Sequence, residues 1–167
     1  MIKMVKDTLL AGYGLSQRII TINIEGVTHA ESLKQPSPAG NCLNWIAGHI
    51  LATRGMILGL LGGKPFLSEQ DAGYYIRGSA PVKPGEPCVE FGRLKEGLEQ
   101  TSGMILEKIQ EAGSDFIEEP LNVPDFPVKL EKPSRDAYLT LLLVHEEYHC
   151  GQLGLGRRLL GKDSAIK

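Results

Sequence analysis

The sequence predicts an all-α protein, a four-helix bundle with long connecting loops. Apolar residues recur at helical spacing in four long stretches. Three connections rich in proline or glycine separate them. The last stretch carries two histidines four residues apart, one above the other on a single helical face.

The first helix is expected from about Lys3 to Ile24, with Val5, Leu9, Gly12/Tyr13, Ile19/Ile20 and Asn23 near helical spacing. Ile20–Ile24 alternates like a strand, but the helical pattern before it is longer and carries straight on. Gly26 is the expected stop. Val27 to Gly40 reads as a loop, because two prolines and a glycine within 36–40 exclude continuous helix. His29, among polar neighbours, reads as a surface histidine.

Asn41 is the expected cap of a second helix, with Ser37 before Pro38 as a rival start. Its predicted inner face is Trp45, His49, Ala52, Met56 and Leu60, and Gly62-Gly63 then Pro65 is its stop. Lys64 to Pro87 is a long connection without a clear period, carrying Tyr74 and Tyr75. The third helix is expected from about Val89 to Ala112, with Phe91, Leu94, Leu98, Thr101, Ile105 and Ile109 as its seam and Gly113 ending it. A Pro-rich loop, Ser114 to Pro133, follows. Ser134 is the expected cap of the fourth helix, which runs to about Leu160 and stops at Gly161. Loops of these lengths leave the helix topology open.

The chain of 167 residues is long enough for one domain, 1–167, with a full core. Its net charge is −2, and no basic stripe interleaved with aromatics marks a nucleic-acid surface. No apolar run reaches the roughly 20 residues of a membrane span. Met1–Asp7 lacks the apolar block of a signal peptide, and the three cysteines show no pairing pattern. The expectation is a cytoplasmic protein with reduced thiols.

Of the four histidines, His49, His145 and His149 fall on inward helical seams. At 100° per residue, His149 lies about 40° from His145, and Gln152 about 20° to its other side. The same stripe continues to Leu142 and Tyr138 in one direction and to Gly156 and Leu159 in the other. Buried imidazoles without partners are costly, and bundle cores are common places for metal sites built from facing helices. Three histidines form the open type of site, which leaves a position for water or substrate. A hydrogen-bonded core histidine is the bland reading of any one of them; three together favour metal.

His145-Glu146-Glu147-Tyr148-His149 also fits the H-E-x-x-H zinc-hydrolase pattern. The extended protease motif fails, since Gln152 and Leu155 stand where its glycine and third histidine belong. Glu146 is placed to orient a ligand or take a proton, or else is a surface residue; Gln152 is placed to fix a histidine or a bound water. Glu147 reads as solvated, Tyr148 as packing, and Cys150 as a small core residue rather than a ligand.

With these residues in view, the sequence resembles the DinB-like (damage-inducible, YfiT-like) metalloenzymes. Asn41-Cys42-Leu43-Asn44-Trp45-Ile46-Ala47-Gly48-His49-Ile50 is similar to their second-helix motif, and the Pro36–Gly40 loop before it fits too. His145 to Leu153 is similar to their last-helix H-x-x-x-H-x-G-Q-L motif. The resemblance implies an up-down-down-up bundle and a divalent transition metal, nickel or zinc, on His49, His145 and His149. It implies a homodimer and an activity like that of thiol S-transferases or isomerases using a low-molecular-weight thiol such as bacillithiol, mycothiol or glutathione. The partner is then a small electrophilic molecule, covered by loops carrying Tyr74, Tyr75 and Phe126, with no nucleic acid or membrane involved. A metal-binding bundle serving as a sensor or structural protein is the alternative.

Overall fold

A computed structural model describes residues 2–36, 40–124 and 126–164. Among these the protein is all-helical, and an isolated bridge between Pro120 and Ser134 is the only β-pairing. Four long helices carry the architecture: α1 (Ile2–Ile24), α3 (Leu43–Leu60), α5 (Phe91–Glu111) and α7 (Arg135–Leu159). Short helices α2 (His29–Ser32), α4 (Glu69–Gly73) and α6 (Ser114–Ile117) lie in the three connections. The seam predicted for α5 is the one buried, Phe91 through Ile109 at steps of three and four. Gly26 and Gly161 take left-handed backbone just after α1 and α7, where a side chain would strain the turn.

Helices α1 and α7 pack together, as do α1 and α5, α3 and α5, and α3 and α7. Along α1 and α7 the contacts step in the same direction: Tyr13 Oη donates to the Leu139 carbonyl (2.8 Å), Ser16 meets Glu146, and Arg157 donates to the Asn23 carbonyl (3.3 Å). Along α3 and α7 they step in opposite directions: Gly156 sits on Leu43, His49 on His145, and Arg135 donates to the Leu60 carbonyl.

The core has two apolar layers. One holds Ile20, Ala47, Leu51, Leu94, Leu98, Cys150 and Leu153; the other holds Tyr13, Ile57, Leu58, Ile105 and Leu142. Between them each long helix contributes a buried polar residue: Ser16, Arg54, Thr101 and Glu146.

The structure corrects several local expectations. The loop after Gly26 contains α2, closed by a capping box between Thr28 and Glu31. The N-cap of α3 is Cys42 rather than Asn41, without a side-chain cap bond, and the rival start at Ser37 and Pro38 lies outside the described residues. The inner face of α3 rotates along its length. Trp45 and His49 are buried, but Met56 is exposed, and Arg54, Ile57 and Leu58 take the interior further on. On α7, Leu159 leaves the histidine stripe and is exposed. Ser134 is the N-cap of α7 as expected, but its hydroxyl bonds the Asp136 carboxylate rather than a backbone N–H of the first turn. The start of α7 is tied down instead by Arg135, which donates to the Phe116 carbonyl (2.8 Å) and the Glu119 carboxylate (2.5 Å). No helix among the described residues is long and apolar enough to cross a membrane.

Candidate metal centre

Helix α3 delivers His49 and helix α7 delivers His145 and His149, and their ligand atoms lie within 4.8 Å of one another. The Nε2 atoms converge: His145 Nε2 is 3.2 Å from that of His49 and 3.1 Å from that of His149. Two nitrogens held about 2.0–2.1 Å from a tetrahedral zinc would be about 3.3 Å apart, so the spacing fits a shared ion.

Outer hydrogen bonds set the tautomers. His49 Nδ1 stands 2.6 Å from the Tyr75 carbonyl, which can only accept, so Nδ1 carries the proton and Nε2 presents its lone pair. His149 Nδ1 donates to Gln152 Oε1 (2.7 Å), and the Gln152 amide donates to Tyr148 Oη (3.2 Å), which orients the glutamine. His145 Nδ1 is buried without a hydrogen-bond partner. Burial holds all three imidazoles below their ordinary pKa, His149 down to about 4, so they are neutral at pH 7. Lone pairs crowded together at that pH favour a cation between them, and neutral imidazole is the form that ligates. Three histidines can thus hold a metal ion, and among the described residues no fourth side chain completes the group.

The connection between α3 and α5 backs His49. Trp45 stacks on the His49 ring, with centroids 4.7 Å apart and planes 13° from parallel, and its indole donates to Ser79 Oγ (2.9 Å). Tyr75, read from the sequence as covering substrate, is fully buried. Its hydroxyl donates to Asn44 Oδ1 (3.0 Å) and accepts from the Val89 N–H (2.8 Å), and its ring lies against Gly48. Tyr75 therefore serves the centre through its carbonyl, because a fully buried ring has no face to offer a ligand. Tyr74 is half-buried and edge-on to Tyr75. Phe126 packs on Tyr138, about two helical turns from His145.

Glu146 is not a surface residue. Its carboxylate is fully buried and forked by Arg54: Nε donates to Oε2 (2.9 Å) and Nη2 to Oε1 (2.7 Å). Ser16 Oγ donates to the same Oε1 (2.5 Å). Arg54 Nη1 turns to Gln17 Oε1 (2.8 Å) and the Leu98 carbonyl (2.5 Å). Glu147 is half-buried, and burial raises its carboxyl pKa. Tyr148, expected to pack, is exposed, its ring edge-on to His149. Cys150 is buried beside Ser16, outside the three-histidine group, and burial pushes its thiol up to about 12. Sequence reasoning missed Arg54, although a signal was present: it is the only Asp, Glu, Lys or Arg in α3.

No family model matches the sequence, and no curated protein matches it. Among solved structures, the protein is similar to one described as the conserved protein of locus from Enterococcus faecalis, with a TM-score of 0.68 and 15% identity. That match covers 97% of this chain and 98% of the other. At this identity the likeness concerns the fold alone.

Proposed function

We propose that this protein is a DinB-like metal-dependent thiol S-transferase, joining a low-molecular-weight thiol to an electrophilic small molecule. The observation that carries this reading is the convergence of three neutral histidine Nε2 atoms, two of them oriented from behind, with no fourth protein ligand among the described residues. A nickel or zinc ion bound there would supply Lewis acidity and a preference for soft sulfur, so that a thiol loses its proton at neutral pH. The chain's own residues hold the ligands still: the Tyr75 carbonyl fixes His49, Gln152 fixes His149, and Trp45 supports the His49 ring. No reactive thiol of the chain stands at the centre, which favours an external one. In the transfer the S–H bond breaks, its proton passing to solvent, and an S–C bond forms as the leaving group departs.

The reading extends to the whole protein. The contacts along the long helices fit the up-down-down-up order of DinB-like bundles. A homodimer fits the exposed stripe Val144, Tyr148, Gly151, Leu155 and Leu159 on α7, and a cytoplasmic location fits the free cysteines.

The test is a panel of bacillithiol, glutathione, mycothiol and coenzyme A against monochlorobimane, with metal-loaded and metal-free protein. Metal-dependent turnover that His49→Ala abolishes is expected. Full metal loading with no rate above background for any thiol would overturn the transferase reading in favour of a non-catalytic metal-binding protein.

A further inference from the structure

The buried polar layer between the two apolar layers supplies no atom to the three-histidine group, yet it touches every long helix. Ser16 and Gln17 come from α1, Arg54 from α3, the Leu98 carbonyl and Thr101 from α5, and Glu146 from α7. Both partners of the ion pair are 1% exposed. A buried pair of this kind adds little net stability over well-packed apolar residues, because desolvating two charges offsets their attraction. What it does impose is geometry. Apolar side chains can slide or repack at modest cost, whereas a two-pronged guanidinium–carboxylate contact is satisfied in one register only. Buried polar residues fix register in coiled coils for the same reason.

The two halves of the pair stand on the two helices that carry the histidines. Arg54 follows His49 by five residues on α3, and Glu146 lies between His145 and His149 on α7. A shift of α7 against α3 by one residue is about 1.5 Å along the axis. That would break the fork and pull His49 Nε2 out of its 3.2 Å approach to His145. We infer that Arg54 and Glu146 are positioning residues, a register clamp that sets α3 against α7 so that the three imidazoles meet at one point. Ser16 and the Leu98 carbonyl bring α1 and α5 into the same registration. This inference rests on the metal-centre reading above.

The test uses full-length protein and the metals Co²⁺ and Zn²⁺ alone. Arg54→Met/Glu146→Leu replaces the pair with apolar groups of similar volume, a change that leaves folding intact in comparable cases. Urea unfolding in EDTA reports the stability of metal-free protein. Competition with a chromophoric chelator reports affinity, and the Co²⁺ d–d spectrum reports ligand geometry. The clamp predicts a folded double variant whose Zn²⁺ affinity is lower by about tenfold or more, the scale of losses at outer-shell residues, with an altered Co²⁺ spectrum. A folded variant with wild-type affinity and spectrum would overturn it, since a merely structural pair changes stability alone. Arg54→Lys, which keeps the charge and loses the fork, covers a double variant that does not fold: a weakened, spectrally altered centre supports the clamp, and an unaltered one overturns it. Wild-type protein that binds neither ion would sink the metal-centre reading itself, and the clamp with it.

Discussion

His49, His145 and His149 differ in what stands behind them. His49 gives its outer proton to a backbone carbonyl that no substitution removes, His149 gives its own to Gln152, and the Nδ1 of His145 has no hydrogen-bond partner. Removing any of the three rings should abolish tight metal retention; mass-spectrometric metal analysis of reloaded, desalted His145→Ala protein checks this. Gln152→Leu should keep the ligands but free the His149 ring, weakening metal binding by about 10–100-fold in a competition titration. Arg54→Met alone should be far more harmful to folding than to any surface function. It leaves the Glu146 carboxylate buried and unpaired, at a cost of about 3–5 kcal/mol, readable as a lower urea midpoint. The three histidines were legible because histidine is rare here and the helical period placed them on seams. Arg54 was not, since a charge is expected at a surface unless a partner is known, and that partner lies 92 residues away.

At the scale of elements, the connection between α3 and α5 backs His49 through the Tyr75 carbonyl. It packs tightly at Gly48, where a Cβ would fall 2.4 Å from the Tyr75 ring. Gly48→Ala should therefore push Tyr75 off α3, at about 1–3 kcal/mol, and take the carbonyl away from His49. Urea unfolding together with metal titration would show both losses, whereas an effect on stability alone would detach the turn from the site. Trp45, the single tryptophan, stacks on His49, so its emission should change with the same midpoint as metal binding. The long helices were legible from their apolar period. The short helices α2, α4 and α6 were not, because one turn carries too few apolar positions to reveal a period.

For the whole molecule, burial of three neutral histidines makes metal-free stability depend on pH. Their folded pKa values lie below the ordinary 6.5, down to about 4 for His149, so the unfolded chain binds more protons in that window. Metal-free protein should be most stable above pH 6.5 and lose stability as pH falls from there toward 4. Urea titrations in EDTA at pH 7.5 and 5 would measure this, and His149→Leu should flatten the dependence. The glycines of α7 differ in what they face. Gly156 is filled by Leu43 and Gly154 lies near Asn23, so both serve packing within the chain. A Cβ at Gly151 would meet nothing within 4 Å, and the residue stands amid exposed Val144, Tyr148 and Leu155. If that stripe joins two copies, sedimentation should show a dimer of the 18.2 kDa chain at micromolar concentration, and Leu155→Glu should give a monomer.

The sequence by itself determined the helical class, the four long elements to within a few residues at their ends, and the identity of the three convergent histidines. These are properties of one helix at a time, written in a period of 3.6 residues and in stop signals beside it. Only the tertiary structure decided which way α3 turns along its length, which residues fix the imidazole tautomers, and that a charged pair crosses the core behind them. Those are relations between residues tens of positions apart, created when two helices settle in one register, and no local pattern encodes them.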